Sequence, residues 1–134
     1  MHPAFDHEKL RAYLEALRFV AWVEPVIEQV PARLAARDQL DRASTSIVLN
    51  LAEGNGKRSE ADRCRYFDSS RGSALECAAC LDVLVAKGRL EKSVADEGKT
   101  ILVGVVSMVA GLIARFSGEA REDAVAYGVE NEND

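Results

Sequence analysis

Cys77 and Cys80 are separated by two residues, the spacing of redox dithiols and of half a zinc site. The surrounding sequence speaks against both uses. The pair falls in the middle of a helical pattern, away from a helix N-terminus, where a thiolate gains stabilisation. Three helical steps also hold two sulfurs poorly for a disulfide, which needs a short Cα separation. Cys64 lies 13 and 16 residues away, on the far side of the same helix at about 100° per residue. The three thiols are expected to act as small buried hydrophobes.

His2 and His7 have no Cys or His placed to complete a metal site, so no metal or cofactor is expected. Ser44, Thr45 and Ser46 lack a histidine base within the same or the following helix, which removes triad chemistry. The turn Gly54-Asn55-Gly56-Lys57 has neither the G-x-x-x-x-G-K-[ST] spacing nor the preceding strand of a phosphate loop. It reads as a helix stop, since Gly and Asn tolerate the left-handed conformation. No acid, base, nucleophile or metal set converges, and a non-enzyme is expected.

The informative polar residues are of another kind. Gln39, Ser46, Asn50 and Glu53 recur at helical spacing along one side of a helix whose other side, Leu40, Ser44, Ile47 and Leu51, is largely apolar. Val48, Leu49 and Ala52 cover much of the remaining circumference, so this helix is expected to be surrounded by others, from its own chain or a partner. Arg42 beside this row, with Ser73 and Glu76 on the next helix, completes a candidate structural network. Antiparallel pairing would bring Arg42 within about one turn of Glu76. The two are expected to pair directly or through Gln39, within the chain or across a subunit boundary.

Four helices are needed to carry these residues. The first is expected from Phe5 to about Val30, kinked at Pro25 and ended by Pro31. The second runs from about Ala32 to Glu53. Lys57 and Arg58 form the turn, and Ser59 with Asp62 resembles a capping box opening the third. That helix has Phe67, Ser70, Ala74, Cys77, Leu81 and Leu84 on one side and Gly72, Glu76, Ala79 and Val83 on the other, until Gly88 breaks it. The fourth begins near Ser93 and holds a seven-residue apolar repeat, with no charge from Ile101 to Ala114. Short loops imply an all-α, antiparallel up-down-up-down four-helix bundle. A bundle helix needs about three apolar positions in seven. Helices one, two and four exceed this, and the surplus points to self-association.

Composition bounds the rest. The 134 residues make one domain, with the bundle in residues 1–118. The net charge of −5 resides in the stretch from Glu119 to Asp134, which has six acids and one base and is expected to be a poorly ordered tail. The body is neutral, with 16 acids and 16 bases, a weak argument against a dedicated nucleic-acid binder. No uninterrupted apolar run of roughly 18–20 residues and no N-terminal signal pattern stand out, so a cytoplasmic protein away from the membrane is expected.

The string from Asp38 to Gly56, then Arg65-Tyr66-Phe67 and Arg71-Gly72-Ser73-Ala74-Leu75-Glu76, resembles the family of 23S ribosomal RNA intervening-sequence proteins. Its hallmark is a QLxRAxxSIxxNIAEG helix followed by GSxxE, and Leu51 replaces the usual Ile. The resemblance covers about residues 8 to 117. It implies a four-helix bundle assembling as a ring-shaped homopentamer, without catalytic residues. It also implies that Gln39, Arg42, Ser46, Asn50, Glu53, Ser73 and Glu76 are structural. The accessory variability determinant of diversity-generating retroelements is similar, and there a basic pentamer binds a reverse transcriptase and RNA. Two functions follow as expectations. One is an oligomeric scaffold with a protein partner. The other is a nucleic-acid-binding accessory protein using Lys57, Arg58, Arg63 and Arg65 at one end of the bundle.

Overall fold

The computed structural model describes residues 5–118; His2 and the acidic stretch from Glu119 lie outside the described residues. Helices α1 (Arg11–Gln29), α2 (Ala35–Asn55), α3 (Glu60–Ala86) and α4 (Lys92–Phe116) follow a short 3-10 turn, Asp6–Lys9. Each helix packs on its neighbours in the order α1–α2–α3–α4 and back to α1. The pairings run in opposite directions. Ser46 meets Ser73 where Ile47 meets Ser70, and Cys64 meets Ile113 where Asp82 meets Lys99. Trp22 reaches Glu97 where Glu15 lies beside Gly104. The bundle is up-down-up-down.

Its core is a column of Phe19 and Val23 from α1, Leu40, Ile47 and Leu51 from α2, Phe67, Leu81 and Leu84 from α3, and Val105 and Val109 from α4. These positions recur every three or four residues, the spacing that brings side chains to one face of a helix. Two hydroxyls enter this column and each finds a carbonyl: Ser70 donates to Ile47 O at 2.8 Å and Ser44 to Asp41 O at 2.9 Å. Burying them therefore leaves no orphaned donor.

The boundaries show where local chemistry differs from periodicity. The expected first helix is divided, because Leu10 is extended (φ −76°, ψ 126°) and separates the 3-10 turn from α1. That turn is held instead to the end of α2, where the buried Asn55 donates to the Asp6 carboxylate at 2.8 Å. α1 runs unbroken through Pro25 and ends at Gln29, with Val30 extended before Pro31 as a residue preceding proline prefers. Arg37 then donates to the free Val30 carbonyl at 2.7 Å, a cation at a helix C-terminus. α2 starts three residues later than expected, since Pro31 O accepts from Leu34 N in a turn.

Ser59 caps α3 by accepting from Asp62 N at 3.0 Å. Gly88 closes the end of α3 at φ +71°, a conformation that favours glycine. Gly54 does something other than stop a helix. It lies inside α2 with negative φ, buried, and a Cβ there would come 2.9 Å from Tyr66 Cβ and 3.0 Å from the Phe67 ring. Glycine lets α3 approach α2 at this level.

Candidate interaction surfaces

The motif residues gather on the outward seam between α2 and α3. Asn50 Nδ2 donates to the Ser46 carbonyl and to Ser46 Oγ, both at 2.9 Å, and Ser46 Oγ lies 2.8 Å from Ser73 Oγ. These three half-buried groups tie α2 to α3 across the seam. The other four motif residues stay outside that cluster and are exposed. Arg42 pairs with Asp38 one turn back on its own helix at 3.4 Å, both side chains at least 70% exposed. Glu53 pairs with Lys57 at 3.8 Å. Gln39 and Glu76 line an open groove between the start of α2 and the end of α3.

The expected Arg42–Glu76 pairing within the chain is therefore absent. Arg42 is exposed and its ion pair is with a same-helix partner one turn away, the spacing at which helical side chains meet. Glu76→Ala is accordingly expected to change stability by less than about 1 kcal/mol in the isolated chain. Thermal melting at a concentration too low for association checks this, and a loss of several kcal/mol would show a desolvated partner. The chain's own helices enclose α2 only in part, and the expectation that helices of this chain or of a partner surround it is met here on two sides. Only α1 and α3 contact it among the helices, and Leu49 on its outer side is 59% exposed.

The cysteines are unpaired thiols spread over two faces. Cys77 and Cys80 are buried, whereas Cys64 is half-buried and directs its sulfur to Ile113 O at 3.7 Å. Burial pushes the Cys77 thiol up to about 12, with the neighbouring Cys80 and Glu76 adding to the rise. Burial raises Cys80 as well, then Glu76, and Cys64 is raised by burial and by Glu60. All three shifts disfavour the thiolate that redox or metal chemistry requires. Among the described residues no three His, Cys, Asp or Glu side chains are grouped to hold a metal ion.

The basic residues share the end of the bundle formed by the α2–α3 turn, as the sequence suggested, but not as one bare patch. Lys57 is taken by Glu53 and Arg65 by Asp62 at 3.3 Å. Arg63 instead lies over the Phe116 ring, 4.9 Å from its centroid, with Arg115 at 5.0 Å from the same ring. The up-down topology adds cations that sequence spacing gave no reason to group. Lys9, Arg11 and Arg115 line one groove between the start of α1 and the end of α4.

Apolar side chains are also exposed outside the core, on α3 and α4. Gly72, Leu75, Ala79 and Val83 run along the outer side of α3 and are exposed. Leu75 (51% exposed) also shares an open groove of about 320 Å³ with Ala78 on α3 and with Val103 (69% exposed) and Val106 on α4. On α4 the charge-free stretch continues outward through Val103, Ser107, Ala110 and Gly111. A Cβ added at Gly72 would meet nothing within 4 Å among the described residues, so this small residue has no close neighbour there. By length and composition alone α4 is also long and apolar enough to cross a membrane, although it holds no uninterrupted apolar run of 18 residues. Its inner face is nevertheless core, with Ile101, Leu102, Val105 and Val109 buried and Gly98 against Trp22.

A family model described as 23S rRNA-intervening sequence protein matches residues 8–111. The chain belongs to this family. Among solved structures, the fold is similar to the crystal structure of a protein of unknown function from the S23 ribosomal protein family of Bacteroides thetaiotaomicron. The TM-score is 0.71 at 16% identity, covering 76% of this chain and 97% of that chain. No curated protein matches. The intervening-sequence hallmark therefore maps onto two parts of this structure. Its apolar and small residues, Leu40, Ala43, Ile47, Leu51 and Gly54, are buried in the core, while Ser46, Asn50 and Ser73 join α2 to α3 across the outward seam.

Proposed function

We propose that this intervening-sequence protein is a non-enzymatic scaffold that works as a homo-oligomer, in the ring of five that the family resemblance implies. The observation that carries the reading is the charge-free outer side of α4 from Val103 to Gly111, continuous across the α3–α4 groove with Leu75. Exposed apolar surface of this extent is costly in water, and burying it against a second copy recovers roughly 25 cal/mol per Å². A heterologous contact that closes into a ring would do so without leaving a free face. Gln39 and Glu76 share a groove with Ala79 and Val83 on α3 and supply polar groups at the rim of such a contact. The cytoplasm, away from the membrane, is the proposed location, because the inner face of α4 is committed to the core.

Analytical ultracentrifugation at micromolar concentration tests the proposal. The parent is expected to sediment as a multiple of the 14.6 kDa chain. Leu75→Glu combined with Val103→Glu should sediment as a single chain with unchanged helical circular dichroism. A parent that is itself a single chain at these concentrations overturns the reading.

A second reading, a nucleic-acid-binding accessory role, is favoured by one observation: Arg63 and Arg115 converge on the Phe116 ring without a carboxylate within 4.0 Å among the described residues. It requires a salt-dependent mobility shift of RNA or DNA, lost when Lys57, Arg58, Arg63 and Arg65 are changed to Glu.

A further inference from the structure

The groove between the start of α1 and the end of α4 is lined by three cations and by apolar side chains. Lys9 and Arg11 stand on one bank and Arg115 on the other, over Leu10, Met108 and Leu112, and no carboxylate lines it. None of the three cations has an acidic partner within 4.0 Å among the described residues. The groove holds about 420 Å³ of open space. Its chemistry suits a peptide that carries several carboxylates and a few apolar side chains. Such a segment begins within four residues of Arg115. From Glu119 to Asp134 the chain reads EAREDAVAYGVENEND, with six acids against Arg121 and with Val125, Tyr127 and Val129 between the acidic blocks.

We infer that residues 119–134 dock into the Lys9–Arg11–Arg115 groove of their own chain. The reach is ample. Sixteen residues span up to roughly 50 Å when extended, whereas the groove from Arg115 back to Met108 is about 10 Å along the helix. Tethering beside the site keeps the segment at a millimolar effective concentration, so weak contacts suffice to hold it. The segment would also screen the cations at this end of the bundle from other polyanions. The inference does not depend on how many copies assemble, since each chain supplies both the groove and its occupant.

Arg121 is the only basic residue in the segment, so cleavage there by an arginine-specific protease reports whether it is covered. At low salt the full-length parent should be cut at Arg121 at least about 5-fold more slowly than Lys9→Gln/Arg11→Gln/Arg115→Gln. The difference should vanish at 0.5 M salt, where the screening length falls to roughly 4 Å. Lys87→Gln/Arg89→Gln, at the opposite end of the bundle, should cut like the parent. Should the triple variant lose its helical circular dichroism, Arg11→Gln alone gives the same comparison, because Arg11 is exposed. Equal rates in the parent and the groove variant at low salt overturn the inference. So does a groove variant that cuts like the parent but no longer retains a single-stranded RNA oligonucleotide, since the surface is then a nucleic-acid site. Protection that disappears on dilution at constant salt places the segment in a neighbouring copy and overturns the intramolecular form.

Discussion

Gly54→Val is expected to destabilise the protein by roughly 3 kcal/mol, the upper part of the range for overpacking a filled core. The backbone at Gly54 is ordinary right-handed helix, so valine faces no left-handed strain. The cost is one of space. A single Cβ would already stand 2.9 Å from Tyr66 Cβ and 3.0 and 3.1 Å from two atoms of the Phe67 ring. Tyr66 Cβ is fixed to the α3 backbone, and Phe67 is fully buried, so neither can swing aside. α2 and α3 must separate at this level. For a chain of this size each kcal/mol lowers the melting temperature by roughly 3–5 °C, so a fall on the order of 10 °C is expected in a thermal melt. Gly54→Ala should fall between parent and valine, its crowding partly offset by a helix propensity about 1 kcal/mol better than glycine. A valine variant as stable as the parent would mean that the helices are not in contact at Gly54.

This glycine marks how far the sequence could be read. Its neighbours Asn55 and Gly56 are turn formers, and α2 does end at Asn55, so a stop near Gly54 was legible. The reason for glycine was not, because it lies in Tyr66 and Phe67, which only the hairpin brings near. The same division holds elsewhere. The four helices, their order and the core faces of α2 and α3 follow from apolar residues at helical spacing, which registers burial directly. Leu10 and Leu34 are helix-compatible residues that adopt extended backbone, and nothing in local periodicity distinguishes them.

Among the polar residues, spacing along one helix identified Ser46 and Asn50 as neighbours, and they are bonded. Ser73, singled out as a polar group of the next helix, lies 2.8 Å from Ser46, a contact that spacing along one helix does not report. Arg42 and Glu76 did not meet, since being level along two helices does not fix the direction in which each side chain leaves its axis. Lys9, Arg11 and Arg115 share a groove because the first and last helices close the ring, a contact between residues about a hundred positions apart. No spacing rule reports such a pair.

Phe67→Ala should have the largest effect of any single truncation, about 3–5 kcal/mol. Phe67 has no exposed surface, and it joins three elements at one end of the bundle. Its ring fills the space over Gly54 on α2 and stands 6.1 Å, centroid to centroid, from Phe116 on α4. Alanine removes the ring's transfer free energy and leaves a cavity that the helices can only partly close, because Ser70–Ile47 and Ser46–Ser73 hold α2 to α3 about one and two turns away along α3. Phe116 would lose an aromatic neighbour while keeping Arg63 and Arg115 over its own ring. Urea unfolding followed by circular dichroism measures the loss. Combined with Gly54→Ala the two costs should be less than additive, because the space vacated by the Phe67 ring is part of what the new methyl group requires. Strict additivity would show that Gly54 is confined by Tyr66 alone, and would leave the Phe67 ring to the contact between α3 and α4.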